Sequence, residues 1–338
     1  MKKGCLIGLI VLLVLIVGVA IVAGVGFVKV NQQYGISEAP PASYEQFVNK
    51  NTRVRLLFNP DKLNDLIAHY LPPDALPLPS WLPYKQNQLI PMLMPREIAL
   101  LTGSDFAKGQ IDLTFFINER RLGPLIAQAA DNSNIFKSIK QVKWDSELMT
   151  APQRGVLKVG GAIAIPDGLE NKVLETWQHD IKGEPVTIQG GHLIEAAIDN
   201  RSGDIFTLIA SAQQASGQDW RALLQDPIAK TAIAIVQKVV DFRLSGDFVS
   251  NDSAKIVARV GAEPDAGPQL EFLAGMGIPA LATQLEDMYG LKLTGQPKWN
   301  ASEKALIGEF SITGFERLIR QQIQAALPKA AAASAPKQ

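Results

Sequence analysis

The chain has 338 residues, of which 47% are hydrophobic and 20% charged, a balance that supports a packed core and excludes wholesale disorder. Lys plus Arg and Asp plus Glu stand at 33 each. Without Lys2, Lys3 and Lys29 the remainder is slightly acidic and lacks a basic run interleaved with aromatics, which excludes a nucleic-acid partner.

The first element is apolar. From Leu6 to Val28 every residue is apolar or glycine, and at 1.5 Å per residue this covers about 35 Å, enough for a tilted transmembrane helix. Lys2 and Lys3 before it, against Lys29 alone after it, predict a cytoplasmic N-terminus and an extracytoplasmic C-terminal domain, periplasmic or on the cell surface. Gly18-Val19-Ala20 offers a signal-peptidase spacing as the competing reading; export follows from both. The single cysteine, Cys5, has only Met1-Lys2-Lys3-Gly4 before it, too little for a lipoprotein signal, so the exported part has neither a disulfide nor a thiol nucleophile.

Residues 31–50 are polar, include Pro40-Pro41 and read as a linker between the anchor (1–30) and the folded part. A strand with alternating Val54, Leu56 and Phe58 follows. Asn59 is placed to cap a helix, Pro60 to occupy its first position, and Leu63, Leu66, Ile67, Tyr70 and Leu71 to form one apolar face.

The segment Pro72 to Pro95 carries seven prolines among apolar residues, so it forms neither a regular helix nor a central strand. A long apolar loop either covers a core or touches something outside it. Its Trp81, Leu82, Tyr84, Leu89, Ile90, Met92 and Met94 are the candidate contacts to a protein partner or a lipid.

Ile111, Leu113, Phe115 and Ile117 then alternate, Asn118 stands at a cap position, and Leu122, Leu125 and Ile126 repeat the apolar stripe, so a strand-then-helix unit recurs at matched spacing. Weaker echoes enter Pro166-Asp167-Gly168-Leu169 and Thr313-Gly314-Phe315. Hairpin turns are predicted at Ser104 to Gly109, Ala151 to Gly155, Asn200 to Gly203, Ser250 to Ser253 and Lys298 to Ser302. A helix is predicted from Asp226-Pro227, with a stripe running through Ile228, Thr231, Ala232, Ile235, Val236, Val239 and Val240.

Hairpins joined by amphipathic helices predict an α+β fold: a transmembrane helix, then antiparallel sheet or sheets with helices packed on one face. The expected division is 51–182 and 183–328, as two halves or one domain, with a low-complexity tail at 329–338.

The chemistry is sparse. No G-x-S-x-G, H-E-x-x-H, Walker or G-x-G-x-x-G pattern occurs, so no catalytic residue, cofactor or metal site is assigned. His69 falls on a polar helix face and His179 near a helix end. His192 alternates with Ile188 and Ile194, with Gly190-Gly191 able to host a bulge, and reads as a hydrogen-bonded structural histidine. Asn200-Arg201-Ser202, Asn251-Asp252-Ser253 and Asn300-Ala301-Ser302 match the glycosylation pattern but are also turn composition, the preferred reading.

The composition suits a bacterial envelope protein. The primary expectation is a non-catalytic, membrane-anchored envelope protein that binds a protein partner or scaffolds an assembly. A carrier of lipid or another apolar ligand is the alternative, and an envelope hydrolase with an unrecognised site the third reading.

Overall fold

The computed structural model describes residues 43–70, 94–118, 143–144, 149–151, 156–169, 188, 190–215, 217–225 and 227–321. The anchor segment Leu6 to Val28, the helix expected after Asn118, His179 and the tail lie outside them. Among the described residues no helix is long and apolar enough to cross a membrane.

The fold is α+β. Twelve antiparallel strands form one sheet: β1 (Val54–Phe58), β2 (Glu97–Asp105), β3 (Gln110–Asn118), β4 (Lys143–Trp144), β5 (Met149–Ala151), β6 (Val156–Ala164), β7 (Ile194–Asp199), β8 (Val239–Phe248), β9 (Ser253–Ala262), β10 (Lys292–Thr294), β11 (Lys298–Asn300) and β12 (Ala305–Thr313). Their order is β10-β12-β9-β8-β7-β1-β2-β3-β6-β4, with β11 on β12 and β5 on β6. One antiparallel run, β1-β2-β3-β6, lies on one side and another, β7-β8-β9-β12, on the other. The seam is the β1–β7 ladder, in which Val54 pairs with Ile198 and Phe58 with Ile194. That ladder joins the two expected halves into a single sheet.

Among the described helices are α1 (Asn64–Tyr70), α2 (Asp204–Ala215), α3 (Pro227–Val236) and α4 (Gly267–Tyr289), and residues 315–321 are helical as well. Phe206 and Ala210 of α2 pack with Ile111, Ile165, Leu169 and Trp220. Ile235 of α3 and Leu270 of α4 pack with Val239, Ala262 and Leu306. At the opposite end of the strands Leu63, Leu66 and Ile67 meet Phe58, Met94, Leu193 and Phe248.

Several local expectations are corrected. Asn59 makes no cap bond; a short 3-10 turn, Pro60–Leu63, precedes α1, and the Asn59 side-chain amide donates instead to the His192 carbonyl at 2.5 Å. The side chain is thus held through its N–H end by a partner distant in sequence, and its oxygen makes no cap bond. Asn200 to Gly203 is not a hairpin turn, because α2 follows it. The helix from Pro227 ends at Val236, and Val239 and Val240 belong to β8; apolar residues at helical spacing also fit the first positions of a buried strand. The stretch expected to be linker ends in a 3-10 turn, Tyr44–Phe47, whose Tyr44 is buried against Leu57, Ala99, Leu101 and Phe116.

Candidate apolar binding face

Residues paired across antiparallel strands share a face, and the side of the strand alternates along the chain. The registers therefore give the composition of each face row by row. The middle row of one face runs Phe115, Leu100, Leu56, Ala196, Leu244, Ala258, Gly308. Two residues along, the next row is Ile117, Ile98, Phe58, Ile194, Gly246, Ile256, Phe310. On the other side lies Leu113, Thr102, Val54, Ile198, Phe242, Val260, Leu306. Thr102 is the one polar side chain in three rows that cross seven strands. At about 4.8 Å between strands and 3.3 Å per residue, this surface measures about 29 by 13 Å.

Such a face is ordinarily the core. Here its middle is the less buried part: Leu56 is 40% and Ile194 39% exposed, and Leu100, Ala196, Phe242, Leu244, Ile256 and Ala258 are only half-buried. The margins are tight, with Val54 at 5%, Leu306 at 6% and Phe310 at 8%. The helix-packed clusters lie at the two ends of the strands, where they draw on Ile111, Leu113, Val260 and Leu306 of this same face at one end and on Phe58 and Phe248 at the other. Between these ends Leu56 and Ile194 are exposed, and their neighbours in the rows are half-covered.

Small residues hollow the floor on the β7 to β12 side: Ala196, Gly246 and Ala258. A Cβ placed on Gly246 would meet nothing nearer than Ile256 Cγ1 at 3.5 Å, an ordinary contact, so the space above it is unfilled. Over Gly308 the corresponding space is taken, because a Cβ there would come within 2.6 Å of the Phe310 ring.

The reverse face differs across its width. Under β1 to β3 it is dry, with Leu57 at 4%, Ala99 at 1% and Phe116 at 0% exposure. Under β8, β9 and β12 it carries Asp241, Arg243, Lys255, Arg259 and Glu309, with cross-strand pairs Arg259–Asp241 at 2.5 Å and Lys255–Glu309 at 2.7 Å.

Of the predicted contact residues, Met94 is described. It is 5% exposed and sits between Leu63 and Leu193, at the α1 end of the apolar face. Trp81, Leu82, Tyr84, Leu89, Ile90 and Met92 lie outside the described residues.

Two polar clusters flank the face. His192 Nδ1 lies 2.5 Å from Asp247 Oδ2, and Asp247 Oδ1 accepts the Leu193 N–H at 2.8 Å. Glu195 accepts the N–H groups of Gly190 and His192, each at 2.9 Å. Gly190 and Gly191 take φ of 80° and 95°, so the backbone turns before β7 and the strand phase starts afresh. Burial pushes the Asp247 carboxyl up, but His192, the Leu193 N–H and Lys62 outweigh it and hold it below the usual range. Among the described residues no hydroxyl is bonded to this pair, and its bonds tie the turn to β8.

The second cluster was invisible in the sequence. Asn200, fully buried, donates to the carbonyls of Val236 at 3.0 Å and Val239 at 2.9 Å and accepts the Ile205 N–H at 2.9 Å. Its side chain is thus unavailable to a glycan. Asp199 is gripped by Arg201; burial raises its pKa, and the guanidinium outweighs burial and brings it below the ordinary value. Asp204 is 1% exposed, accepts the Ser104 N–H at 3.3 Å and has Arg53 Nε 3.9 Å away. Burial pushes it up to about 6. An open cleft of about 570 Å³ beside it, lined by Lys50, Arg53, Lys108, Asp105 and Asp112 among others, mixes both charge signs and selects no ligand class. Among the described residues no three His, Cys, Asp or Glu side chains could hold a metal ion.

No family model and no curated protein matches the chain. A solved structure, crystal form I of TP0453, is similar at 11% identity and a TM-score of 0.27, over 82% of this chain and 94% of that one. At that score the similarity supports no statement about fold or function.

Proposed function

We propose that this chain is a membrane-anchored extracytoplasmic protein that holds an apolar ligand, of the lipid acyl-chain class, against the open middle of its sheet. The observation that carries the reading is the central row from Phe115 to Gly308, apolar across seven strands yet exposed or half-buried at Leu56, Ala196, Leu244 and Ala258. Exposed apolar areas of a few hundred Å² mark binding sites in soluble domains, and a floor with few polar groups suits a chain recognised by shape. The residues Leu6 to Val28 supply the anchor in this reading. Trp81, Leu82, Tyr84, Leu89, Ile90 and Met92, outside the described residues, stay in this reading as proposed lipid contacts on the strength of their apolar composition.

A protein partner as the occupant of the sheet fits less well. Interface hot spots are enriched in Trp, Tyr and Arg, whereas the three rows of this floor hold none of these and are hollowed by alanine and glycine.

The test is photo-crosslinking of a diazirine-bearing fatty acid to the full chain, with the adducts mapped by mass spectrometry. Adducts should concentrate on β1, β7 and β8 around Leu56, Ala196 and Leu244, and should fall when Ala196→Phe and Gly246→Leu fill the hollow. Adducts confined to residues 6–28, or unchanged by the filled hollow, would rule the reading out.

A further inference from the structure

The longest described helix, α4, has 23 residues and is not built like a helix that packs on its own domain. From Phe272 to Ala282 it runs eleven residues without one polar or charged side chain. Eight of them are exposed, Phe272 to 65%, Met276 to 52% and Leu281 to 47%. Ala274, Ile278 and Ala282, spaced by four, form the one half-buried line. At 100° per residue the exposed positions sweep an arc of about 240°.

The ends of α4 are its most buried parts, and along its middle only the line of Ala274, Ile278 and Ala282 faces the fold, with Ala274 packed against the Leu270–Leu306 cluster. Gly267 and Leu270 are buried at one end, with Gly267 so close to Trp299 that a Cβ would fall 2.4 Å from the indole. At the other, Gly290 closes the helix in the left-handed region at φ 66°, and Leu291 beyond it is 2% exposed. The span between carries Gly275, Gly277 and Pro279, residues that weaken a helix, and an added Cβ on either of these glycines would meet nothing within 4 Å.

We propose that the middle of α4, Phe272 to Ala282, is a bilayer-docking segment that enters the headgroup and acyl boundary of a neutral lipid surface. A protein partner or a second copy would cover one stripe, ordinarily somewhat over 100° wide; an arc more than twice that fits a fluid medium that surrounds the helix. Its length, about 16 Å, is too short to cross the hydrocarbon and sufficient to lie in the interface. The charged residues of α4 are Glu271, Glu286 and Asp287, all acidic, so the attraction is apolar and needs no anionic lipid. Fourteen residues separate Val28 from Ser43, where the described fold begins, a tether reaching at most about 50 Å. This last argument rests on the anchor in the proposed function.

The experiment uses the full chain in a Cys5→Ser background, reconstituted into phosphatidylcholine vesicles whose acyl chains carry bromine. An environment-sensitive fluorophore is placed at Met276→Cys or Leu281→Cys, with Lys255→Cys as a site on the polar face and Val14→Cys in the anchor. Labels at 276 and 281 should be blue-shifted and quenched by bromine, the label at 255 should not, and 0.5 M salt should leave the quenching in place. Adding Gly275→Asp and Gly277→Asp, which the open space accommodates, should abolish the quenching at 281. Quenching at 14 with none at 276 and 281 overturns the docking segment and leaves the anchor standing. Quenching at 276 and 281 with none at 14 supports docking and removes the anchor. No quenching anywhere overturns both. Cross-linking of two copies through 276 without bromine quenching assigns the surface to a second copy and overturns the inference.

Discussion

Leu56 and Leu57 are neighbours in β1, yet they occupy opposite environments: Leu57 is 4% exposed in a packed cluster, and Leu56 is 40% exposed on the open face. Leu57→Ala should therefore cost about 2–5 kcal/mol, and Leu56→Ala under about 1 kcal/mol while reducing acyl-chain capture; urea titration of both variants checks the contrast. Asp204 tests burial through pH. Its pKa is raised in the folded chain to about 6 from 3.8, so the folded state binds more protons than the unfolded one between these values. Its contribution to stability is thus fully present below about pH 4 and is lost as pH rises through 6, a loss of at most about 3 kcal/mol. Asp204→Asn should raise the unfolding midpoint at pH 7.5, with a gain that shrinks toward pH 4; a gain independent of pH would place the effect elsewhere. Asn200→Ala leaves two carbonyls and one N–H without their partner and should cost about 3 kcal/mol, measurable as a lower urea midpoint at every pH.

At the scale of elements, the strands follow from their alternation and the turns between them largely from composition. The hairpins β2–β3 and β8–β9 turn where Ser104 to Gly109 and Ser250 to Ser253 predict. The helices were harder to read. In α2 the polar Thr207, Ser211, Gln213 and Gln214 blur the apolar stripe; Thr207 and Ser211 are themselves buried, and Thr207 donates its hydroxyl to the Gly203 carbonyl at 3.1 Å. In α4 the helix-weakening Gly275, Gly277 and Pro279 interrupt the pattern in its middle. Gly267→Ala should destabilise the molecule by about 1–3 kcal/mol through overpacking on Trp299, whereas Gly275→Ala, with open space around it, should be neutral or slightly stabilising. Thermal unfolding of the pair separates the fastened end of the helix from its free middle.

For the whole molecule, the arrangement that matters is a single sheet whose packing is inverted in its middle. The apolar side between the helix-capped ends is less buried than the opposite side under β1 to β3, where Tyr44 and Phe47 close the cluster around Phe116. An occupant would supply the missing burial. Binding to the native state alone stabilises by RT ln(1 + [L]/Kd), about 2.7 kcal/mol at a hundredfold excess over Kd, so a bound fatty acid should raise the unfolding temperature of wild type and not of Ala196→Phe with Gly246→Leu. An equal shift in both would mean that the fatty acid binds elsewhere.

The sequence by itself determined the α+β class, the central strands and the absence of recognisable catalytic motifs, because alternation, turn residues and fixed-spacing motifs are local properties. It also marked the segment to which Met94 belongs, though as a surface for contact rather than as the core position the side chain occupies. Only the tertiary structure decided which apolar rows line up and which remain open. Val54, Leu56 and Phe58 read alike in one dimension; their exposures diverge because the helices reach the ends of the strands and stop short of the middle. It alone decided that Asn59 bonds to His192 and that Asn200 joins β7, α2, α3 and β8, since those partners are distant in the chain. The exposed middle of α4 belongs to the same class of fact: apolar residues are expected inside, and whether a helix is covered depends on what the rest of the fold brings against it.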